Sequence, residues 1–187
     1  MKYNLCYPEI HIKNCRTGNN RPRGFLLNSN KKTIVEGCTF YNSSSAIAIN
    51  GDNSYWFEAT GVRDVTIENN IFDNCGYHDS DYSILVKAYI KENPDIEDYH
   101  SGIKVKNNLF KTFSGGCVYV ANCKDCSFEN NVVEKNVCIP VKGVTRGGEI
   151  RGEVINFLYR GRTARRVLRL GSRRPVRRGD ISRDNLA

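Results

Sequence analysis

A short strand-like phrase recurs along this chain at a spacing that few folds can satisfy. It reads TIVEGCTF at 33–40, VTIENNIF at 65–72, IKVKNNLF at 103–110 and CSFENNVV at 126–133, with a shorter copy, IHIKNC, at 10–15. Each copy is an apolar alternation, a polar pair and a bulky apolar residue. Aligning the second residue of each pair puts Cys15, Cys38, Asn70, Asn108 and Asn131 in one column, at steps of 23, 32, 38 and 23 residues. A period of 23 broken by two insertions is the pattern of a solenoid. A second apolar stretch follows each pair: Phe25–Leu27, Ala46–Ile49, Ile84–Val86 and Val118–Val120. Two or three short strands per period leave no room for helices. They suit one coil of a parallel β-helix, with coils stacked about 4.8 Å apart. The expected fold is therefore all-β, a right-handed parallel β-helix of about five to six coils over residues 1–142.

The alternation predicts Ile67 and Phe72 inward and Glu68 outward. The Asn pairs fall at one bend, where Asn tolerates left-handed backbone and can bond to its neighbours as a stacked ladder. Cys15 and Cys38 are expected to fill the same column as small, semi-apolar side chains. Asp64, aligned with Lys32 and Asp125, marks a turn into the strand. Glu36, Glu68 and Glu129, with Lys106, read as a solvated face.

The formal charge of +8 points to a nucleic-acid partner until it is located. Residues 1–142 hold 12 Lys and 4 Arg against 16 acids and sum to zero. Residues 143–187 hold 12 Arg and no Lys against 4 acids, so the whole excess lies there. This Arg-rich tail lacks the repeat phrase. It reads as a basic arm, as a solvated extension, or as sequence foreign to the repeat and poorly ordered, which the abrupt change from Lys to Arg favours. Val154–Tyr159 could still form a strand or short helix. Nucleic acid is not the expected partner of the repeat itself. No apolar run is long enough to span a membrane, and MKYNLCYPEIH lacks the apolar segment of a signal peptide. Without a cap at the first coil, the chain reads as a piece of a longer protein. The sequence leaves oligomeric state open. Cys123 and Cys126 form a lone C-x-x-C with no second pair at zinc spacing, so stacking or a local disulfide is expected rather than metal.

In a solenoid, the loops that break the period usually carry the site. The first insertion, Gly51 to Gly61, holds the chain's single Trp (Trp56) between aromatic neighbours, with Asp52 and Glu58. An aromatic face stacks on the apolar side of a pyranose, while carboxylates bond hydroxyls or move protons. The bland reading is that Asp52 and Asn53 make a turn and Trp56 covers the flank. The second insertion brackets the next coil's strand, with Asp79 and Asp81 before it and Asp98, Tyr99 and His100 after it. The two large excursions should leave side by side and wall one cleft, with Arg21 and Arg23 leading into the preceding coil's strand. His78 and His100 read as surface loop residues.

Residues 19–75 carry a resemblance. Arg21-Pro22-Arg23-Gly24, the strand AIAI, the run from Gly51-Asp52 through Trp56 to Glu58, and DVTIENNIF together resemble glycoside hydrolase family 110. These are bacterial exo-α-1,3-galactosidases, built on a pectate-lyase-like solenoid. The resemblance implies release of terminal α-1,3-linked galactose from an oligosaccharide or glycoconjugate, without cofactor or metal, by an enzyme that is secreted or periplasmic. It also implies a chain several times longer, of which this would be a central fragment. It points to Arg21, Arg23, Asp52, Trp56 and Glu58 as site residues, the two Arg and Trp56 for binding substrate and the acids as candidates for catalysis. The sequence departs from the family's pattern after Glu58, where Ala-Thr-Gly stands in place of Ser-Gly. The resemblance also implies inversion of stereochemistry, which needs an acid and a base with room for a water between them. Asp52 with Asp81 or Asp79 is the expected pair, with Glu58 binding substrate or taking one role. A non-catalytic glycan-binding β-helix, or another β-helix carbohydrase such as a polysaccharide lyase, are the alternatives.

Overall fold

A computed structural model describes residues 7–55, 60–77, 82–91, 98–112, 116–136, 150–160 and 168–170, the last two as backbone only. The chain winds as a parallel β-helix with three faces. The first coil holds β1 (Ile10–Lys13), β2 (Arg16–Gly18) and β3 (Phe25–Leu26). The second holds β4 (Thr33–Glu36), β5 (Thr39–Tyr41) and β6 (Ile47–Asp52), and the third β7 (Val65–Glu68), β8 (Ile71–Asp73) and β9 (Tyr82–Tyr89). The short β10 (His100–Ser101) precedes β11 (Ile103–Lys106) and β12 (Leu109–Thr112). Then β13 (Gly116–Glu129) runs across a corner, pairing with β9 through its first half and with β11 through its second. After β14 (Val132–Lys135), β15 (Ile150–Arg160) pairs in parallel with β13 and with β16 (Leu168–Leu170). Coil-to-coil pairing thus continues beyond residue 142, and Val154–Tyr159, open from the sequence to a strand or a short helix, lies within β15.

The column of polar pairs divides its labour. The first member of each pair takes the left-handed conformation: Asn14, Gly37, Asn69, Asn107 and Asn130 have φ of 53°, 63°, 55°, 56° and 52°. The second member turns inward and builds the ladder. Asn131 Oδ1 accepts from Asn108 N at 2.9 Å, Asn108 Oδ1 from Asn70 N at 2.9 Å, and Asn70 Oδ1 from Cys38 N at 2.8 Å. Each Asn Nδ2 donates to a strand carbonyl of the preceding coil: Val105, Ile67 and Val35, at 2.9, 2.9 and 3.0 Å. The ladder ends where Cys15 N donates to Cys38 Sγ at 3.4 Å. A corner that would otherwise bury unpaired amide groups is thereby satisfied.

Beside the ladder, Phe40, Phe72 and Phe110 stack face to face, with centroids 5.0 and 4.7 Å apart. They come from β5, β8 and β12 in register. All three are fully buried, as are Val35, Ile67 and Ile103 from the first face and Ile47, Ile49 and Ile84 from the third. The outward rows are charged as expected. Lys106 bonds Glu68 at 3.0 Å, and Lys13 and His11 each reach Glu36 at 2.9 Å. Those partners, Lys13 first, hold the Glu36 carboxyl below its ordinary range.

Candidate functional site

The place where the period breaks is fixed by register. β6 and β9 pair from Ile47↔Ile84 to Asp52↔Tyr89, and Asn53 N donates to Tyr89 O at 3.0 Å. The excursions after β6 and β9 therefore depart from neighbouring positions at one end of the third face, as expected. Asp52 is the last residue of β6 and only 9% exposed. Its Oδ1 accepts from Ser54 N at 2.8 Å, Tyr55 N at 2.9 Å and Ser54 Oγ at 3.2 Å. This is an Asx turn, in which a side-chain oxygen replaces a backbone acceptor. The bland reading of Asp52 as a turn residue is thus part of its role.

Around Asp52 stand three tyrosines. Tyr55 is 76% exposed and Tyr89 45% exposed; Lys87 Nζ lies 4.3 Å from the Tyr89 ring centroid. Tyr99 lies against Gly51, where a Cβ would overlap its ring, and its carbonyl fills the space a Cβ at Gly61 would need. Burial, then the Asp52 charge, push the Tyr99 phenol above its ordinary range, while Arg63 pulls it down. Arg63 Nη1 clamps the excursion, donating to Tyr99 O at 2.6 Å and Val62 O at 3.1 Å. Next to this clamp lies a polar cavity of about 270 Å³, lined by Asn30, Lys31, Thr60, Gly61 and Arg63. The arrangement offers aromatic faces, a carboxylate and cationic donors at one sheet end, which is what a sugar needs from a protein.

His100 is not a surface residue. It is fully buried, with Nε2 donating to Lys87 O at 3.2 Å and Nδ1 accepting from Val62 N at 3.3 Å. Since a carbonyl can only accept, these partners fix the neutral tautomer with its proton on Nε2. Burial brings the His100 pKa down to about 4. His100 thus braces the corner beneath Tyr99 from the inside.

Arg21 and Arg23 are exposed and lie elsewhere. Gly24 N donates to Ser45 O at 3.1 Å, which places Arg23 at the entry of the third face. Asp52 is seven residues beyond Ser45 on the same strand path, about 20 Å at ~3.3 Å per residue. The backbones that carry the Arg pair and Asp52 are therefore not brought together. Trp56, Glu58, Asp79, Asp81 and His78 lie outside the described residues. Nothing in the sequence singles out Tyr89, Arg63 or Lys31, and Tyr99 is there one of several residues in the excursion. The signal for this clamp was the pair of glycines, Gly51 and Gly61, which leave room for the Tyr99 ring and backbone.

The family model for a right-handed β-helix region matches residues 7–153. Among curated proteins, the chain is 30% identical over 139 residues to α-1,3-galactosidase A of Bacteroides fragilis, covering 72% of this chain and 23% of that protein. It is 33% identical over 134 residues to α-1,3-galactosidase B of Bacteroides thetaiotaomicron, covering 68% and 22%. It is 31% identical over 152 residues to α-1,3-galactosidase A of Shewanella woodyi, covering 81% and 25%. The chain thus spans about a quarter of the length of these relatives. Their names match the resemblance carried by residues 19–75.

Proposed function

Because this chain belongs to the right-handed β-helix family, we propose that its coils carry the sugar site of a glycoside hydrolase that releases terminal α-1,3-linked galactose. The observation that supports this reading best is Asp52, set at the break in the repeat between Tyr55, Tyr89 and Tyr99, in a chain similar to three proteins named α-1,3-galactosidase. The apolar face of galactose would rest on the exposed tyrosines and Trp56. Its hydroxyls would reach the donors of Lys31 and Arg63. Arg21 and Arg23, at the other end of the face, would meet a more distant part of the glycan.

The chemistry follows from a carboxylate pair. In an inverting hydrolysis one carboxyl group protonates the departing glycosidic oxygen while the other activates a water on the opposite face of the ring. We assign Asp52 to one role and take Asp81, Asp79 and Glu58 as the candidates for the other. Neither role needs a metal or a cofactor. Burial of Asp52 and its Asx turn would fix its orientation, which proximity catalysis requires.

Asp52→Asn separates the chemical role from the turn, because Asn keeps the oxygen that accepts from Ser54 and Tyr55. Thermal unfolding unchanged, with galactose release reduced about a thousandfold or more, is the expected result. Unchanged release would remove Asp52 from the reaction. A second reading, a β-helix that binds galactosides without cleaving them, is favoured by the same Asx turn, which accounts for Asp52 without catalysis. Binding without release by wild type and Asp52→Asn alike would establish it.

A further inference from the structure

The corner between the third and first faces repeats a pattern of its own. In successive coils it carries two inward residues three apart: Val62 and Val65, His100 and Ile103, then Cys123 and Cys126. Pairing of His100 with Cys123, and of Ile103 with Val65, puts these pairs in two stacked rows. Between the last two, Asp125 takes φ of 54° and turns the chain sharply. The turn directs both thiols into the interior, where both residues are buried. Their sulfurs lie 2.8 Å apart, less than 1 Å beyond the ~2.05 Å of a disulfide bond. Among the described residues no set of three metal-binding side chains gathers here. Both His100 ring nitrogens are already bonded to backbone.

We propose that Cys123 and Cys126 are a modification site, a dithiol that closes to a disulfide and staples this corner of the β-helix. The oxidant is a disulfide compound such as oxidised glutathione. The Cys126 thiolate attacks one sulfur of the oxidant and releases one glutathione thiolate. The Cys123 thiolate then attacks Cys126 Sγ in the mixed disulfide and releases the second glutathione. Two electrons pass to the oxidant, and the two protein thiol protons end on the two glutathiones. The Cys126 thiol and burial hold the Cys123 thiol far above its ordinary pKa. The thiolate is therefore scarce in the closed fold, and the exchange is fastest while the corner is open. The staple sits one coil on from His100, which pairs with Cys123. This proposal does not depend on the galactosidase reading.

The test is to equilibrate the purified protein, at a denaturant concentration near its unfolding midpoint, in glutathione buffers of increasing oxidised fraction. The samples are then acid-quenched, alkylated and mapped by mass spectrometry. The expected result is a 123–126 linkage, with that peptide two hydrogens lighter and reversed by dithiothreitol. It should form at a lower oxidised fraction than any linkage involving Cys38, Cys75 or Cys117. The oxidised protein should also unfold at higher temperature than the reduced one. Cys126→Ser should abolish the linkage; if that variant does not fold, the wild-type map decides. Alkylation of both Cys123 and Cys126 at every ratio, or either one linked preferentially to another cysteine, would overturn the proposal.

Discussion

Replacing Asn108 by Ala tests the ladder at its centre. The wild-type side chain accepts from Asn70 N at 2.9 Å and from Asn70 Nδ2 at 3.0 Å. It donates to Ile67 O and Asn131 Oδ1, each at 2.9 Å. After truncation, Asn70 Nδ2 keeps Val35 O and Asn131 Oδ1 keeps Asn108 N. Ile67 O keeps its place in the β7–β11 ladder, whereas Asn70 N loses its partner in a buried corner. An orphaned buried group costs about 1–3 kcal/mol, and each remaining lost bond about 0.5–1.5 kcal/mol. One orphan and three other lost bonds sum to roughly 2.5–7.5 kcal/mol, a large part of the ~5–15 kcal/mol that holds a domain together. Equilibrium urea unfolding followed by circular dichroism reads it as a lower midpoint at unchanged slope. A loss below about 1 kcal/mol would refute the reasoning and mean that the backbone or water re-satisfies the corner. The neighbour provides the control. Asn107 needs only its left-handed backbone, φ 56°, so Asn107→Gly should be near neutral, whereas Asn107→Val should cost ~1–2 kcal/mol.

The remaining predictions concern the site and its support. His100 should make the fold acid-sensitive. Its folded pKa, about 4, lies below its ordinary 6.5, so the unfolded chain takes up a proton first as pH falls. Its contribution is complete above pH 6.5 and is lost progressively by pH 4, about 3 kcal/mol in all. Unfolding midpoints across that window should fall in wild type and fall less in His100→Gln; equal slopes would dismiss His100 as the cause. Tyr89→Ala should weaken galactoside binding by about tenfold with little change in stability, read by calorimetric titration, since it removes an exposed ring beside Asp52. Gly51→Ala should disturb the site without touching a polar group, because its methyl would meet the Tyr99 ring. Lower melting temperature and slower galactose release together are expected, and an unaffected protein would show that the ring moves aside freely. Phe72→Ala, opening a void in the Phe40–Phe72–Phe110 stack, should cost about 3–5 kcal/mol in the urea assay.

The coil was legible because a β-helix repeats its constraints. A left-handed Asn or Gly, an inward Asn or Cys, and in the middle coils an inward Phe recur in sequence at the period the backbone needs, so alignment of the phrase against itself recovers the register. The flank that holds the candidate site was legible for the same reason, since Asp52 and Tyr89 end equivalent strands and the chain breaks the period beyond both. What sequence could not fix was distance across a face. Arg23 and Asp52 lie in neighbouring phrases, yet one stands at the entry of the face and the other at its exit, because six residues of extended chain separate what adjacency in the sequence joins. His100 was misread as surface because it follows a run of acids and aromatics. Its spacing to Ile103, the same as Val62 to Val65, already marked it as an inward corner residue. Tyr99 is not legible in the sequence because its place beside Asp52 depends on the absence of side chains at Gly51 and Gly61, and an absence carries little signal in a single sequence.

The most direct test of the galactosidase reading is to incubate the purified, folded protein with a terminal α-1,3-linked galactoside and follow free galactose by proton NMR from the first turnovers. The account predicts release, with the β-anomer appearing first and the α-anomer only through later mutarotation. Initial appearance of the α-anomer would contradict the inverting pair. Binding of the galactoside without release would contradict hydrolysis and leave these coils as a glycan-binding surface.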